Sequence, residues 1–117
     1  MRKKFTVFIS YIAIFFNPYL IADENKNHLK VGLLAPLSGE YAELGNSLLY
    51  SLQLALDEIN DKNVFIVPRD SGFNDKEKLN SATKELRAQG IKVIIGPLNN
   101  EEFTEVKKYD DLIFISP

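Results

Sequence analysis

Short apolar runs alternate with longer stretches of helical periodicity along residues 29–117. The runs are rich in β-branched residues and occupy residues 29–35, 64–67, 91–95 and 112–115 (LKVGLLA, VFIV, IKVII and LIFI). Runs of this length and composition predict four buried strands. Pro36, Pro68 and the Gly96-Pro97 pair follow the first three runs, and the turn preference of these residues predicts the strand ends.

Three stretches between these runs have the spacing of amphipathic helices. Asn74 or Asp75 can cap the second helix at its start, and Gly90 supplies the glycine that is typical of a helix end. The predicted inward positions are 44, 48, 52, 55, 56 and 59 in the first helix, 79, 82, 83 and 86 in the second, and 103, 106 and 109 in the third, which covers residues 101–110. Strands that are apolar on both faces and alternate with helices predict an α/β fold, in which helices cover both sides of a parallel sheet.

The N-terminal residues 1–22 predict a cleavable signal peptide. A basic start (MRKK) precedes the apolar residues 5–16, and Pro18 interrupts the run that follows. Ala22 is a small residue just before two acidic residues, so we place cleavage after Ala22. The alternative is a membrane anchor, but the apolar run is shorter than the roughly 20 residues that a spanning helix needs. We therefore expect residues 23–117 to reach the periplasm without stable membrane insertion.

The composition argues against several kinds of chemistry. The 117 residues include no cysteine and a single histidine, His28, so disulfides and cysteine-based zinc sites are excluded. Without the signal peptide the chain has 11 basic and 16 acidic residues, a net charge of −5, and no basic stripe. Such a chain lacks the electrostatic footprint of a nucleic-acid-binding protein. No phosphate-binding glycine loop follows the first strand, and we expect neither a metal nor a cofactor.

Polar side chains collect in the segments that follow the predicted strands. Ligands of open parallel sheets bind at the carboxyl ends of the strands, where these segments meet. The polar residues there are Ser38, Tyr41, Asp70, Ser71, Asn99 and Asn100. They include no pair of nucleophile and base, so we predict a protein that holds a polar ligand and is not an enzyme. The alternative for each residue is structural, since serine-glycine pairs form turns and asparagines cap helices.

The ordered series of these motifs resembles a known family. Residues 29–60 (LKVGLLAPLSGEYAELGNSLLYSLQLALDEIN), the RDSG motif after the second strand, the IIGPL motif after the third and the final FISP are similar to the opening of type I periplasmic binding proteins of the leucine-binding group. The resemblance covers residues 29–117. It implies the partial N-terminal lobe of that fold, an open parallel sheet of order 2-1-3-4 with helices on both faces.

The resemblance also implies a function. Proteins of this group are the solute-binding components of ABC-type uptake systems, and they close two lobes around an amino acid or another small polar solute before docking on an inner-membrane ABC permease. The implied ligand contacts are Ser38, Tyr41, Asn99, Asn100 and Ser116. Penicillin-binding-protein activators are close relatives, so the alternative function is an envelope protein that docks a cell-wall synthase.

Two features depart from the pattern of that family. Glu101 and Glu102 occupy the first turn of the third helix, where amino-acid binders are rich in serine and threonine, and two carboxylates would repel an anionic ligand group. Residues 23–117 are also too few for two lobes. We expect a truncated first lobe whose exposed last strand makes it marginally stable or prone to association.

Overall fold

Strands and helices alternate throughout the computed structural model, which describes residues 28–117. In chain order the elements are β1 (Leu29–Ala35), α1 (Ala42–Ile59), β2 (Val64–Asp70), α2 (Lys76–Ala88), β3 (Val93–Ile95), α3 (Asn100–Val106) and β4 (Ile113–Ile115). The predicted signal peptide lies outside the described residues. Within residues 28–117, no helix combines the length and the hydrophobicity needed to cross a membrane.

The four strands form one parallel sheet of order β2-β1-β3-β4, which confirms the predicted topology. The register pairs Ala35 at the end of β1 with Asp70 at the end of β2. Ile95 of β3 lies between Leu33 of β1 and Ile115 of β4. All four strands therefore end at the same edge of the sheet, and the segments that follow them start side by side.

One face of the sheet carries the hydrophobic core. Leu34 and Ile94 point from the central strands toward α2 and α3, where they meet buried residues of both helices and of the following turn. The cluster consists of Leu34, Leu79, Ala82, Leu86, Ile91, Ile94, Val106, Tyr109 and Leu112, with Val67 and Phe114 packed against it. Gly32 permits this packing, because a Cβ atom there would lie 3.0 Å from Leu86 Cδ1 and 3.1 Å from Ile94 Cγ1.

The opposite face is covered by α1, which packs against β1 and β2. Leu33 is fully buried on this side, but the neighbouring part of the face over β4 is open. Ile113 and Ile115 are 60% and 49% exposed there. The apolar stripe predicted for the first helix is half-buried at most, and Leu44 and Ile59 at its two ends are exposed.

Strand β2 is longer than the sequence predicts. It continues through Pro68, which pairs with Leu33 of β1, and ends at Asp70. The prediction that Pro68 ends the strand is wrong because β2 lies at the edge of the sheet, where a residue without an N–H group is tolerated. This extension carries Asp70 to the carboxyl edge of the sheet.

The helix ends follow the predicted signals in part. The Asp75 side chain caps α2 by accepting a hydrogen bond from the N–H of Lys78, and Gly90 has a positive φ of 79° just after the helix. The third helix is shorter than predicted and ends at Val106. A tight turn follows, in which the N–H of Tyr109 donates to the carbonyl of Val106. Tyr109 is buried as predicted, but it belongs to this turn and not to the helix.

Gly45 controls the approach of α1 to the sheet, and its substitution is a test of the fold. A Cβ atom at this position would lie 1.8 Å from the carbonyl oxygen of Pro36. Alanine normally stabilises a helix relative to glycine by about 1 kcal/mol. We expect Gly45→Ala to do the opposite and to lower the free energy of unfolding by about 1–3 kcal/mol, the usual cost of overpacking. Urea unfolding followed by circular dichroism measures this change.

Ser47→Ala is the matched control, because Ser47 is exposed on the same helix. It should leave the urea midpoint unchanged or raise it slightly. Equal behaviour of the two variants would show that α1 does not depend on close contact at Gly45.

Candidate functional site

The predicted ligand residues lie along the carboxyl edge of the sheet. Ser38 and Tyr41 are in the β1–α1 loop, Asn99 and Asn100 are at the start of α3, and Ser116 directly follows β4. Asn99 is half-buried and the other four are exposed. The Gly96 N–H bonds to the Ile115 carbonyl at 2.8 Å, so the chain around Ser116 is held beside the β3–α3 loop.

Asp70 ties the first two loops together. Its Oδ1 atom accepts hydrogen bonds from the N–H groups of Leu37 and Gly72, each at 2.9 Å. Its Oδ2 atom accepts a hydrogen bond from the hydroxyl of Ser38 and forms an ion pair with Lys78 Nζ at 2.8 Å. The carboxylate therefore joins the β1–α1 loop, the β2–α2 loop and α2 through a single side chain.

The Asp70 carboxyl group stays ionised in this network. Partial burial raises its pKa, but the Lys78 ammonium, the Ser38 hydroxyl and the two backbone N–H groups outweigh burial and hold the pKa well below its usual range. Sequence reasoning named Asp70 as a polar residue at a strand end. It missed the role of Lys78, because α2 brings that side chain over the loop from eight residues further along the chain.

An aromatic pair forms the apolar part of the edge. The rings of Tyr41 and Phe73 stack with centroids 3.9 Å apart and planes inclined by 26°. Both side chains are exposed, at 39% and 40%. Phe73 was not among the predicted site residues, since it lies 32 positions from Tyr41. Its position directly after the RDSG motif, in a polar loop, was the available signal.

A shallow depression of about 210 Å³ continues the edge from Phe73 to the start of α3. Asn74, Asn99 and Asn100 line it together with Phe73 and Glu101. The structure thus brings the predicted asparagines next to the aromatic pair, and the strip from Tyr41 to Asn100 combines ring surface with amide groups. Such a strip can hold a ligand that has an apolar part and a polar part.

Asn99 has a structural role that the sequence analysis offered as the alternative. Its Oδ1 atom accepts the N–H of Glu102 at 2.8 Å and so caps α3. The Nδ2 atom of Asn99 is buried and has no hydrogen-bond partner within the described residues. Capping uses the oxygen of the amide, and burial keeps its NH₂ group from the surface of the strip.

Glu102 does not line the ligand strip, so only one of the two acidic residues of this turn is exposed there. Glu102 is 4% exposed, and its Oε1 atom accepts the N–H of Asn74 at 3.3 Å. Burial raises the pKa of Glu102 above its usual value, although the hydrogen bond from Asn74 opposes this shift. Glu101 remains exposed, so the strip faces one acidic side chain at this end.

A larger open groove of about 700 Å³ runs beside β2 and α2. Charged residues of both signs line most of it: Arg69, Asp70, Asp75, Glu77, Lys78 and Glu85. Its lining residues include no aromatic side chain, unlike those of the strip. Among residues 28–117, no group of histidine and acidic side chains is arranged to hold a metal ion.

Comparison with known proteins places this sheet and its loops in a family. Residues 28–116 match the family model described as periplasmic binding protein. The chain belongs to the periplasmic binding protein family. This result confirms the resemblance on which the expected fold was based.

Three relatives illustrate how this family member compares with longer proteins. The Leu/Ile/Val-binding protein BraC3 of Rhizobium johnstonii is 31% identical over 78 residues, which cover 62% of this chain and 21% of that protein. A solute-binding protein of an ABC transporter from R. palustris, solved with benzoate, is 29% identical with a TM-score of 0.61, over 70% of this chain and 24% of the other. The branched-chain amino acid binding protein LivJ from Streptococcus pneumoniae, solved with isoleucine, is 25% identical with a TM-score of 0.65, over 77% and 28% of the two chains.

The first relative is named as a Leu/Ile/Val-binding protein, and the two solved structures are named as binding proteins of transporters. The present chain spans 21% to 28% of their length. The similarity therefore concerns a part of each relative, and it covers the sheet and the loops described above.

The network around Asp70 predicts a pH dependence of stability. The folded-state pKa of Asp70 lies below the usual value of 3.8, so the unfolded chain binds the proton first as the pH falls. The stabilisation is thus complete well above that value and is lost as the pH drops toward the folded-state pKa. We expect the free energy of unfolding to fall from about pH 5 to pH 3, and Asp70→Asn to flatten this part of the profile.

Urea unfolding at a series of pH values measures both profiles. Asp57→Asn, at an exposed position of α1, is the matched control and should keep the slope of the unmodified protein. A slope that Asp70→Asn leaves unchanged would show that this carboxylate contributes nothing to acid sensitivity.

Proposed function

We propose that this protein is the opening part of the first lobe of a solute-binding component of an ABC-type uptake system. The observation that carries the proposal is the strip from Tyr41 to Asn100, which lies at the carboxyl edge of a sheet with the family topology. Open parallel sheets bind their ligands at this edge. The match to the family model over residues 28–116 supports the same assignment.

The ligand class follows from the two kinds of surface in the strip. Tyr41 and Phe73 present ring faces for an apolar side chain, and the exposed amide of Asn100 suits a polar head group. Isoleucine and benzoate, the ligands in the two solved relatives, both combine an apolar body with a carboxylate. A branched-chain or aromatic amino acid has the same combination and is the ligand that we propose.

Charge at the start of α3 is compatible with such a ligand. Two acidic residues in this turn would oppose a carboxylate, but Glu102 is buried beneath the β2–α2 loop. Glu101 alone remains exposed in this turn. A ligand carboxylate at the strip therefore meets one exposed acidic side chain in this turn rather than two.

The cellular setting belongs to the same proposal. Export by the predicted signal peptide, residues 1–22, would deliver the protein to the periplasm. There it would present its solute to an inner-membrane permease. The family match and the transport relatives support this setting.

An NMR titration with L-isoleucine, L-leucine and benzoate tests the ligand assignment. We expect chemical-shift changes at the amides of Tyr41, Phe73 and Asn100. Tyr41→Ala or Phe73→Ala removes one ring of the pair, and each should weaken binding roughly tenfold or more, because aromatic contacts dominate apolar recognition. Tyr50→Ala is the matched control, since Tyr50 is an exposed tyrosine on α1 away from the strip.

A folded sample that responds to none of the three compounds would contradict the proposal. The alternative function, docking of a cell-wall synthase, would then be supported if the protein bound a purified synthase without any small ligand.

A further inference from the structure

The hydroxyl group of Ser38 lies between two groups of opposite charge. It donates to Oδ2 of Asp70, and Nζ of Lys78 lies 3.2 Å from the same Ser38 oxygen. Asp70 and Lys78 also pair directly at 2.8 Å. The three side chains come from the β1–α1 loop, from the end of β2 and from the first turn of α2.

The hydrogen-bonding capacity of these groups determines the direction of each bond. An ionised carboxylate can only accept and an ammonium can only donate, whereas a serine hydroxyl has one proton and two lone pairs. The proton of Ser38 must therefore point at Asp70, and one lone pair must accept from Lys78. A single acceptor position remains on this oxygen for a ligand.

The Asp70 carboxylate is held in place as the acceptor of the hydrogen bond from Ser38. The N–H groups of Leu37 and Gly72 hold its other oxygen at 2.9 Å each, and both come from the backbone of the loops that flank it. A carboxylate fixed from two sides keeps its orientation without cost at the moment of ligand binding. Asp70 is thus a positioning residue that acts through Ser38.

We propose that Asp70 and Lys78 hold the Ser38 hydroxyl as a hydrogen-bond acceptor. The corner of the site formed by Ser38, Asp70 and Lys78 then selects ligands that offer a donor, such as a primary ammonium group. This inference rests on the proposed function, and it specifies that Ser38 accepts and the ligand donates in one hydrogen bond. It assigns the ammonium end of an amino acid to Ser38. The carboxylate of the ligand is then left to the exposed amide of Asn100.

The charge balance of the corner agrees with this assignment. Asp70 neutralises Lys78, so the pair offers no net positive charge that would attract a carboxylate. An ammonium group can donate to the free lone pair of Ser38, which lies beside both the Asp70 carboxylate and the Lys78 ammonium. The ligand class that fits both ends of the site is an α-amino acid rather than a simple carboxylic acid such as benzoate.

A matched pair of ligands tests the proposal on the purified full chain. L-Isoleucine carries the ammonium group, and 3-methyl-2-oxopentanoate has the same carbon skeleton with a keto oxygen that cannot donate. NMR titrations give the dissociation constant for each. We expect Ser38→Ala to weaken isoleucine binding roughly tenfold, as for a lost hydrogen bond to a charged group, and to leave the keto acid unchanged. Ser38→Thr keeps the hydroxyl and should retain the preference.

Asp70→Asn tests the positioning role. This substitution frees the proton of Ser38, so the preference for isoleucine over the keto acid should fall by a similar factor. Asp70→Asn should have no further effect on this preference in the Ser38→Ala background. Arg69→Gln is the matched control, because it breaks the 3.0 Å bond from Arg69 to Glu85, which also joins β2 to α2 but does not touch Ser38. This variant should keep the preference of the unmodified protein.

The outcomes separate this inference from the proposed function. Equal weakening of both ligands by Ser38→Ala, or no weakening of isoleucine, would overturn the donor-selecting role while the proposed function stands. Absence of binding by both ligands to the unmodified protein would overturn both. If Asp70→Asn does not fold, the comparison of Ser38→Ala with Ser38→Thr still decides whether the hydroxyl selects a donor.

Discussion

The rest of this structure depends on the central position of β1. This strand bonds to β2 along one edge and to β3 along the other, and its side chains point alternately into the α1 face and the α2 face. Leu33 and Leu34 are both fully buried as a result. Gly32 then has a specific purpose, because the space that a side chain would fill is occupied by Leu86 and Ile94.

The site depends on the same strand through its last residue. Ala35 pairs with Asp70, and its carbonyl accepts the N–H of Ser71 at 2.9 Å, so the ends of β1 and β2 are fixed together. This pairing places one carboxylate within reach of both loops. The charge of Asp70 is tolerated because an ammonium, a hydroxyl and two N–H groups surround it. A loop held in this way presents its polar atoms with little loss of entropy on binding.

Two acidic residues near the site differ in their exposure to solvent and to the ligand strip. Glu101 and Glu102 are neighbours in the sequence, yet one is exposed and the other is buried against the loop after β2. Helix geometry separates adjacent side chains by about 100°, which sends the two carboxylates to different surroundings. The ligand strip is consequently less acidic than the sequence suggests.

The sequence by itself determined the fold class and the approximate positions of the four strands, because apolar runs and helical spacing report directly on burial. The order of the strands in the sheet came from the resemblance to the family. The sequence also located the polar loops, since parallel strands end at one edge. Three features were decided by the tertiary structure: the extension of β2 past Pro68, the stacking of Phe73 on Tyr41 and the contact of Lys78 with Ser38. Each joins residues that are distant in the chain or depends on which strand lies at the edge, and such relations are created by packing rather than by local pattern.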